Sequence, residues 1–300
     1  MRIGIVYTDI TSYMTDCWRE LASIDGVALK IWIEERENGN TDFNRKKLLE
    51  GLNANYDFSN MISYLECDQV VCEIKKFNPD IVFVCGWSRN LPPYVAAAKE
   101  LSHIPMVLEF DMPWEWRLRK IAARFILGPR LKRFSAAFVP GESTARYARW
   151  LGFKPNQIYR GKYAIDLKKW ENRTTTVQPP TLPSDPWPLD VYGCGPEEKY
   201  LRNIPGITLH GFAQPEDLPR IYREHHTLLL FSKWEPWGVV AMEALAAGCK
   251  VVCSKACGVK ELVDRISCVE DEKGRDEILK EYSCEAWADR VLKICNEVIK

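Results

Sequence analysis

The sequence predicts an α/β protein built from two parallel-sheet units, the second one reduced. Three observations predict it. Residues 1 to about 165 alternate short apolar runs with helix-like stretches. A proline-dense segment then interrupts the pattern, and Thr227 to Lys255 follow as strand, sharp turn, helix and strand. Alternation of this kind implies an open, mostly parallel sheet covered on both faces. A chain of 300 residues is long enough for two domains of ordinary size.

Taken in order, Ile3–Tyr7, Ala28–Ile33, Ile81–Cys85, Met106–Phe110 and Ala136–Val139 read as buried strands. Tyr64–Phe77 and Pro93–Leu101 read as helices between them. Residues 36–60 are polar and Asn-rich, which suits a loop or surface helix. The turn after the first strand holds Thr8, Asp9 and Thr11, where such sheets bind ligands. It lacks glycine, so the dinucleotide fingerprint is absent, and the same residues can equally cap the next helix. These elements place a first domain at residues 1–168.

The stretch Trp114 to Phe134 carries seven basic residues and one acid. Leu118, Ile121 and Phe125 recur at helical spacing, with Arg117, Lys120 and Arg124 on a neighbouring face. A basic amphipathic helix broken at Gly128–Pro129 is expected. Its apolar stripe either packs on its own sheet or forms a landing surface for anionic lipid or a phosphate-bearing acceptor.

Residues 169–188 form the linker, with five prolines from Pro179 to Pro188; that density excludes helix interior and central strand. Leu189–Tyr192 then reads as a strand entering the turn Gly193–Cys194–Gly195–Pro196, which opens a second domain at residues 189–300. Within it, Thr227–Phe231 is a buried strand and Val239–Ala247 a helix. Gly248 stops that helix with a left-handed cap, and Val251–Val252–Cys253 opens another strand, completing a βαβ crossover.

Two carboxylates stand out in this unit. Glu235 sits at the mouth of the helix, and Glu243 is the only charged residue between Glu235 and Lys250. A lone carboxylate among Val, Ala, Met and Leu is costly to bury unless something hydrogen-bonds to it. The helix N-terminus at Trp237, Gly238 and Val239 presents unpaired N–H groups that favour an anion. An anion at the helix start and a carboxylate along the helix suggest a nucleoside diphosphate and its ribose.

The run EPWGVVAMEALAAG resembles the E-x7-E signature of retaining nucleotide-sugar glycosyltransferases of family 4, which have the GT-B fold of two Rossmann-like domains. The stretch from Gly141–Glu142 through Leu151–Gly152 to Ile165–Asp166 resembles the end of that family's first domain. The resemblance implies that Glu235 contacts hydroxyls of the donor sugar and is the catalytic candidate, while Glu243 binds the ribose. It also implies that backbone at Trp237, Gly238 and Val239 holds the diphosphate and that Gly211 and Phe212 lie by the base. Thr8, Asp9, Thr11 and Asp111 are acceptor-side candidates; Asp111 occupies the loop where the family often has a His.

One departure matters. Family members begin the second domain with a strand and helix bearing an Arg and a Lys for the diphosphate, and that unit is missing from this reading. Lys162 or Lys233 could substitute, though each reads first as a solvated surface lysine. The expected reaction is transfer from a UDP- or GDP-sugar to a hydroxyl of a glycan or lipid-linked acceptor, with no cofactor besides that donor substrate. The absence of an Asp-x-Asp motif suits a metal-independent mechanism. The alternatives are a degenerate, non-catalytic nucleotide-sugar or partner-binding protein, and another nucleotide-sugar enzyme of the same fold, such as an epimerase.

Composition is that of a soluble globular protein, with 46% hydrophobic and 27% charged residues. Lys plus Arg and Asp plus Glu are each 41, so charge gives no argument for nucleic acid. The opening MRIGIVYTD enters a strand directly, and no run reaches the length of a spanning helix. The expectation is a cytoplasmic chain, with peripheral contact at the inner membrane face through residues 114–134. The 11 cysteines contain no C-x-x-C pair. Cys249, Cys253 and Cys257 straddle a strand without a matching His, so no metal site is expected. His225 and His226 read as solvated at a helix end.

Overall fold

A computed structural model of the chain describes residues 1–8, 10–34, 45–55, 64–87, 91–170, 188–269 and 271–300. The first sheet contains β1 (Arg2–Tyr7), β2 (Ala28–Ile33), β3 (Ala54–Asn55), β4 (Ile81–Cys85), β5 (Met106–Glu109), β6 (Ala136–Val139) and β7 (Ile158–Arg160). Its order is β3–β2–β1–β4–β5–β6–β7, with every pairing parallel. The chain runs outward from β1 in both directions, so the topological switch lies between β1 and β4. A crevice opens at their C-terminal ends.

Both faces of this sheet are apolar, as its uninterrupted hydrophobic strands require. Ile3, Ile5, Ile81 and Phe83 share one face with Met14, Cys17 and Trp18 of α1 (Ser12–Ala22). The short helix α2 (Arg45–Leu49) follows β2. Val6, Trp32, Val82 and Val84 share the other face with α3 (Tyr64–Phe77) and α4 (Leu91–Ala97). That second face also receives α5 (Leu118–Leu131) and α6 (Glu142–Leu151).

Two features of this half differ from the sequence expectation. Residues 36–60 supply β3, a two-residue strand paired to β2. The second is α5, expected to break at Gly128–Pro129, which continues to Leu131. Pro129 falls in its last turn, where it deprives only the carbonyl of exposed Phe125 of a partner, and water can serve that group.

After α7 (Leu167–Trp170), the proline-rich segment at 171–187 lies outside the described residues. The later chain contains β8 (Leu189–Tyr192), α8 (Glu198–Leu201), β9 (Ile207–Gly211), α9 (Leu218–Glu224), β10 (Thr227–Leu230), α10 (Val239–Ala246) and β11 (Lys250–Cys253). β8 pairs with β9 and β10 with β11, both in parallel. The β10–α10–β11 unit is the expected crossover, but its strands are not buried as expected, with Leu229 and Val252 exposed, as is Phe231 just past β10. Gly248 takes the left-handed φ of +102° that its cap role demands.

Three helices close the chain: α11 (Lys260–Ser267), α12 (Glu272–Lys280) and α13 (Cys284–Val298). The last returns to the first sheet. Trp287, Val291 and Ile294 of α13 are buried in the cluster that holds Trp18 and Phe138. The Trp287 indole donates to the Lys162 carbonyl at 2.8 Å. Ser283 caps α13 by accepting from Ala286 N. Among the described residues, no helix is long and apolar enough to cross a membrane.

Candidate active site

The site is assembled from the turn between β10 and α10. Glu235 forms an isolated parallel bridge with Cys257. Its N–H donates to Ala256 O at 3.2 Å, and its own carbonyl accepts from Gly258 N at 3.1 Å. Gly238 sits at the start of α10 with φ +103°, a conformation L side chains resist. A Cβ there would also meet Leu230 Cδ2 at 3.0 Å and Val259 Cγ1 at 3.2 Å. The glycine therefore sets the backbone angle that brings Glu235 and the first amides of α10 together.

The two signature carboxylates differ in their surroundings. Glu235 is half-buried; burial pushes its pKa up, opposed by a hydrogen bond from the Trp237 backbone, and Asp111 across the cleft adds to the rise. Glu243, one turn into α10, is 6% exposed. Burial pushes it up to about 7. Its partner is the Tyr222 hydroxyl, which donates to Oε2 at 3.4 Å. A cavity of about 40 Å³ reaches this carboxylate, walled by Ser12, Tyr13, Asp166 and Lys169 from the first half of the chain.

Glu235 thus lies within electrostatic reach of Asp111, and Glu243 lines a cavity together with the start of α1. Asp111 is half-buried, and its Oδ2 accepts from the Tyr163 hydroxyl at 2.9 Å. Of the other acceptor-side candidates, Thr8 bonds the Cys85 thiol at the crevice. Thr11 occupies the N-cap position of α1 without a side-chain cap bond. Asp9 lies outside the described residues. Gly211 and Phe212 sit at the C-terminal end of β9, where Gly211 O accepts from Gly193 N at 2.6 Å.

Trp237 contributes differently from its neighbours. Its backbone stands at the mouth of α10, but its ring is 2% exposed. The indole N–H lies 3.0 Å from Met242 Sδ, and the ring stacks near Tyr282 at 6.3 Å. Any contact with an anion at α10 therefore falls to the Gly238 and Val239 amides, because the Trp237 N–H already bonds the Glu235 carboxylate and its indole is turned inward.

Four sequence readings are corrected here. Lys162 is not a solvated lysine: its side chain is 2% exposed, beneath the crevice, with Tyr7, Cys85, Glu109 and Tyr163 around it. It is therefore unavailable as a diphosphate cation, whereas Lys233 is exposed. Burial works against the Lys162 ammonium, but Cys85, Tyr163, Tyr7 and Glu109 outweigh it and hold its pKa above the ordinary lysine value. Burial likewise pushes Glu109 up to about 7, with Lys162 opposing. His225 is half-buried and paired rather than free in solvent: its Nε2 lies 3.2 Å from Asp190 Oδ2, and His210 Nε2 lies 2.5 Å from Oδ1 of the same residue. Lys120 is not part of the exposed basic face: it is buried, donates to Pro113 O and pairs with Glu115 at 3.3 Å. The fourth is Thr11, whose hydroxyl does not cap α1.

Sequence reasoning missed Lys162, Tyr163 and Glu109 as parts of the crevice floor. Tyr163 carried no signal of its own; Glu109 ending a buried strand was the one available hint.

Residues 172–297 match the family model described as Glycosyl transferases group 1. An uncharacterized glycosyltransferase of Methanocaldococcus jannaschii is 30% identical over 82 residues, a match spanning 25% of this chain and 21% of that protein. Among solved structures, a glycosyltransferase from Rickettsia africae superimposes with a TM-score of 0.73 at 13% identity, covering 100% of this chain and 98% of that one. A UDP-GlcNAc 2-epimerase from Neisseria meningitidis, solved with UDP-GlcNAc, gives 0.60 at 12% identity, covering 99% and 100%. At such identities the structural likenesses establish the fold, and the family match adds the class of domain. The chain therefore has the α/β GT-B fold, and its residues 172–297 match the model of the glycosyl transferases group 1 family.

Proposed function

We propose that the chain is a retaining glycosyltransferase that moves a sugar from a UDP- or GDP-sugar to a hydroxyl acceptor in cell-surface glycan or glycolipid synthesis. One observation carries the reading: both carboxylates of the α10 unit lie close to the first sheet's side of the site, Glu235 within electrostatic reach of Asp111 and Glu243 lining one cavity with Ser12 and Tyr13. Glu235 would position the donor sugar, Glu243 the ribose, and the first amides of α10 the leaving diphosphate. Gly211 and Phe212 would lie by the base. Thr8, Asp9, Thr11 and Asp111 are the acceptor side. The cavity at Glu243 admits about one water rather than a sugar ring, so nucleotide entry requires its walls to part.

In this reading the second domain is shortened, and the helix amides carry more of the diphosphate's charge than they would beside a phosphate-binding Arg and Lys. Turnover across a panel of nucleotide sugars tests the proposal. Glu235→Gln is expected to lower kcat by about 100-fold with donor binding retained. A protein that binds nucleotide but turns over no donor would instead be the degenerate, non-catalytic binding protein of the same fold.

A second observation favours a bilayer-borne acceptor. On α5 and just before it, Trp116, Leu118, Phe125 and Ile126 are 82%, 86%, 73% and 67% exposed. Arg117, Arg119, Arg124, Arg130 and Lys132 are exposed alongside them. Aromatic and aliphatic groups interleaved with arginines suit an anionic lipid surface at the inner membrane face. Co-sedimentation with vesicles containing anionic lipid is expected at low salt and should fall steeply as salt rises. Phe125→Ser with Ile126→Ser should weaken it; no binding at low salt would remove the membrane from the proposal.

A further inference from the structure

Beneath the crevice of the first sheet lies a chain of polar groups that ends at Asp111. It begins with Glu109, the last residue of β5, and Lys162, in the segment after β7. Both side chains are 2% exposed, with Lys162 Nζ 4.0 Å from Glu109 Oε2. The ammonium also approaches the Tyr7 hydroxyl at 3.4 Å, the Tyr163 hydroxyl at 3.3 Å and the Cys85 sulfur at 3.9 Å. The rings of Tyr163 and Tyr7 flank it, with centroids at 4.5 and 5.5 Å.

Donor chemistry fixes the direction of this chain. An ammonium has hydrogens to give and no lone pair to receive one. The Tyr163 oxygen must therefore accept from Lys162, and its own hydrogen must go elsewhere. It goes to Asp111 Oδ2, 2.9 Å away. That bond ties up one carboxylate oxygen and leaves Oδ1 outside the relay.

The backbone holds the relay in place from two sides. The Trp287 indole donates to Lys162 O, and Lys162 N donates to Val139 O at 3.1 Å. Tyr13 packs edge-on to the Tyr163 ring at 5.6 Å, and Thr144 Oγ1 donates to the Asp111 carbonyl at 3.1 Å. A buried ion pair is weak as a stabilising device, since apolar residues of similar volume often do as well. Fixing the orientation of a group at a site gives it a use.

We propose that Lys162 is a positioning residue that, through Tyr163, holds the Asp111 carboxylate toward the cleft opposite Glu235. Only the chemical use of Asp111 rests on the transferase reading; the way it is held does not. Tyr163 is hydrogen-bonded to Asp111, and Tyr13 from α1, Cys85 from β4 and Glu235 from the β10–α10 turn lie within its electrostatic reach.

The test is the NMR signature of the Asp111 side chain, its carboxyl-carbon shift and its Cβ methylene couplings, in the full chain without substrate at neutral pH. Tyr163→Phe keeps the ring and removes the donor to Oδ2, so the carboxyl signal should move and the couplings should average over rotamers. Because Lys162→Met alone strands Glu109, the paired variant Lys162→Met with Glu109→Gln is measured beside it. It should change the same signals in the same direction by a smaller amount. Signals and couplings unchanged in both variants would overturn the proposal. In turnover, Tyr163→Phe should lower kcat about tenfold with donor KM unchanged, and should add nothing to Asp111→Asn. An equal loss in the Asp111→Asn background would also overturn it. If the unmodified chain transfers no sugar, the transferase reading fails while the NMR signature still decides how Asp111 is held.

Discussion

Replacing Glu243 by glutamine is expected to stabilise the nucleotide-free protein above neutral pH and to weaken its grip on a nucleotide. Burial raises this carboxyl from an ordinary 4.5 to about 7. Between those values the folded chain keeps a proton that the unfolded chain has released, so stability falls as pH rises through that window. The loss is complete above about pH 7 and is on the order of 3 kcal/mol for a shift of that size. Glutamine retains the shape and an acceptor for the Tyr222 hydroxyl without the buried charge. Urea melts should show Glu243→Gln more stable by about 1–3 kcal/mol at pH 8, with the gap closing toward pH 5.

The binding effect runs the other way. A charge-assisted hydrogen bond to a ribose hydroxyl contributes about 1.5–3 kcal/mol, so affinity should fall roughly 10- to 100-fold by calorimetry with UDP and GDP. Opposite signs for stability and binding are what a carboxylate kept for a ligand would give. A variant that is less stable at pH 8 yet binds as before would make Glu243 a structural residue.

The parts of this molecule that were legible in the sequence are those whose signal is local. β2, β4 and β6 follow from runs such as ALKIWI and IVFVC, which have no other stable use in a globular chain. The β10–α10–β11 unit was legible because Gly238 and Gly248 mark both ends of an Ala-rich helix, and each takes a positive φ. Lys162 was not legible. It stands in the polar-looking run RGKYAID, and its burial is decided by α13, more than a hundred residues later, whose Trp287 holds its carbonyl. The outward face of α5 was half-legible: periodicity gave the stripe of Leu118 and Phe125, but nothing local says whether a stripe is covered. His225 shows the same limit, since its partner Asp190 comes from another strand.

The largest loss of stability among single changes at the motif is expected from Trp237→Ala. The residue belongs to the signature turn, yet its ring holds two parts of the chain together. A Cβ added at Gly141, the residue that starts α6 on the first sheet, would lie 2.5 Å from Trp237 Cζ3 and 2.2 Å from Glu261 Oε1. The indole therefore presses on bare backbone, and only a glycine there leaves room for it. Beside it, the Glu261 carboxylate accepts from Glu142 N at 3.0 Å, occupying the N-terminus of α6. The Trp237 carbonyl accepts from Val259 N at 2.8 Å, so the same residue also braces the loop that pairs with Glu235. Truncating a buried Trp to Ala costs about 3–5 kcal/mol, a large fraction of the roughly 5–15 kcal/mol that separates most folded domains from their unfolded state. Thermal melts should fall by roughly 10 °C, while Trp237→Phe, which keeps an aromatic plate against Gly141, should lose less than half as much. Donor turnover should drop with Trp237→Ala even at temperatures where the protein remains folded, because Glu235 and the first amides of α10 lose the anchor that fixes their backbone. Gly141→Ala provides the reciprocal change from the other side of the contact. If it lowers turnover while Trp237→Ala leaves both melting and turnover untouched, the indole is not the brace and the contact at Gly141 acts through Glu261 instead.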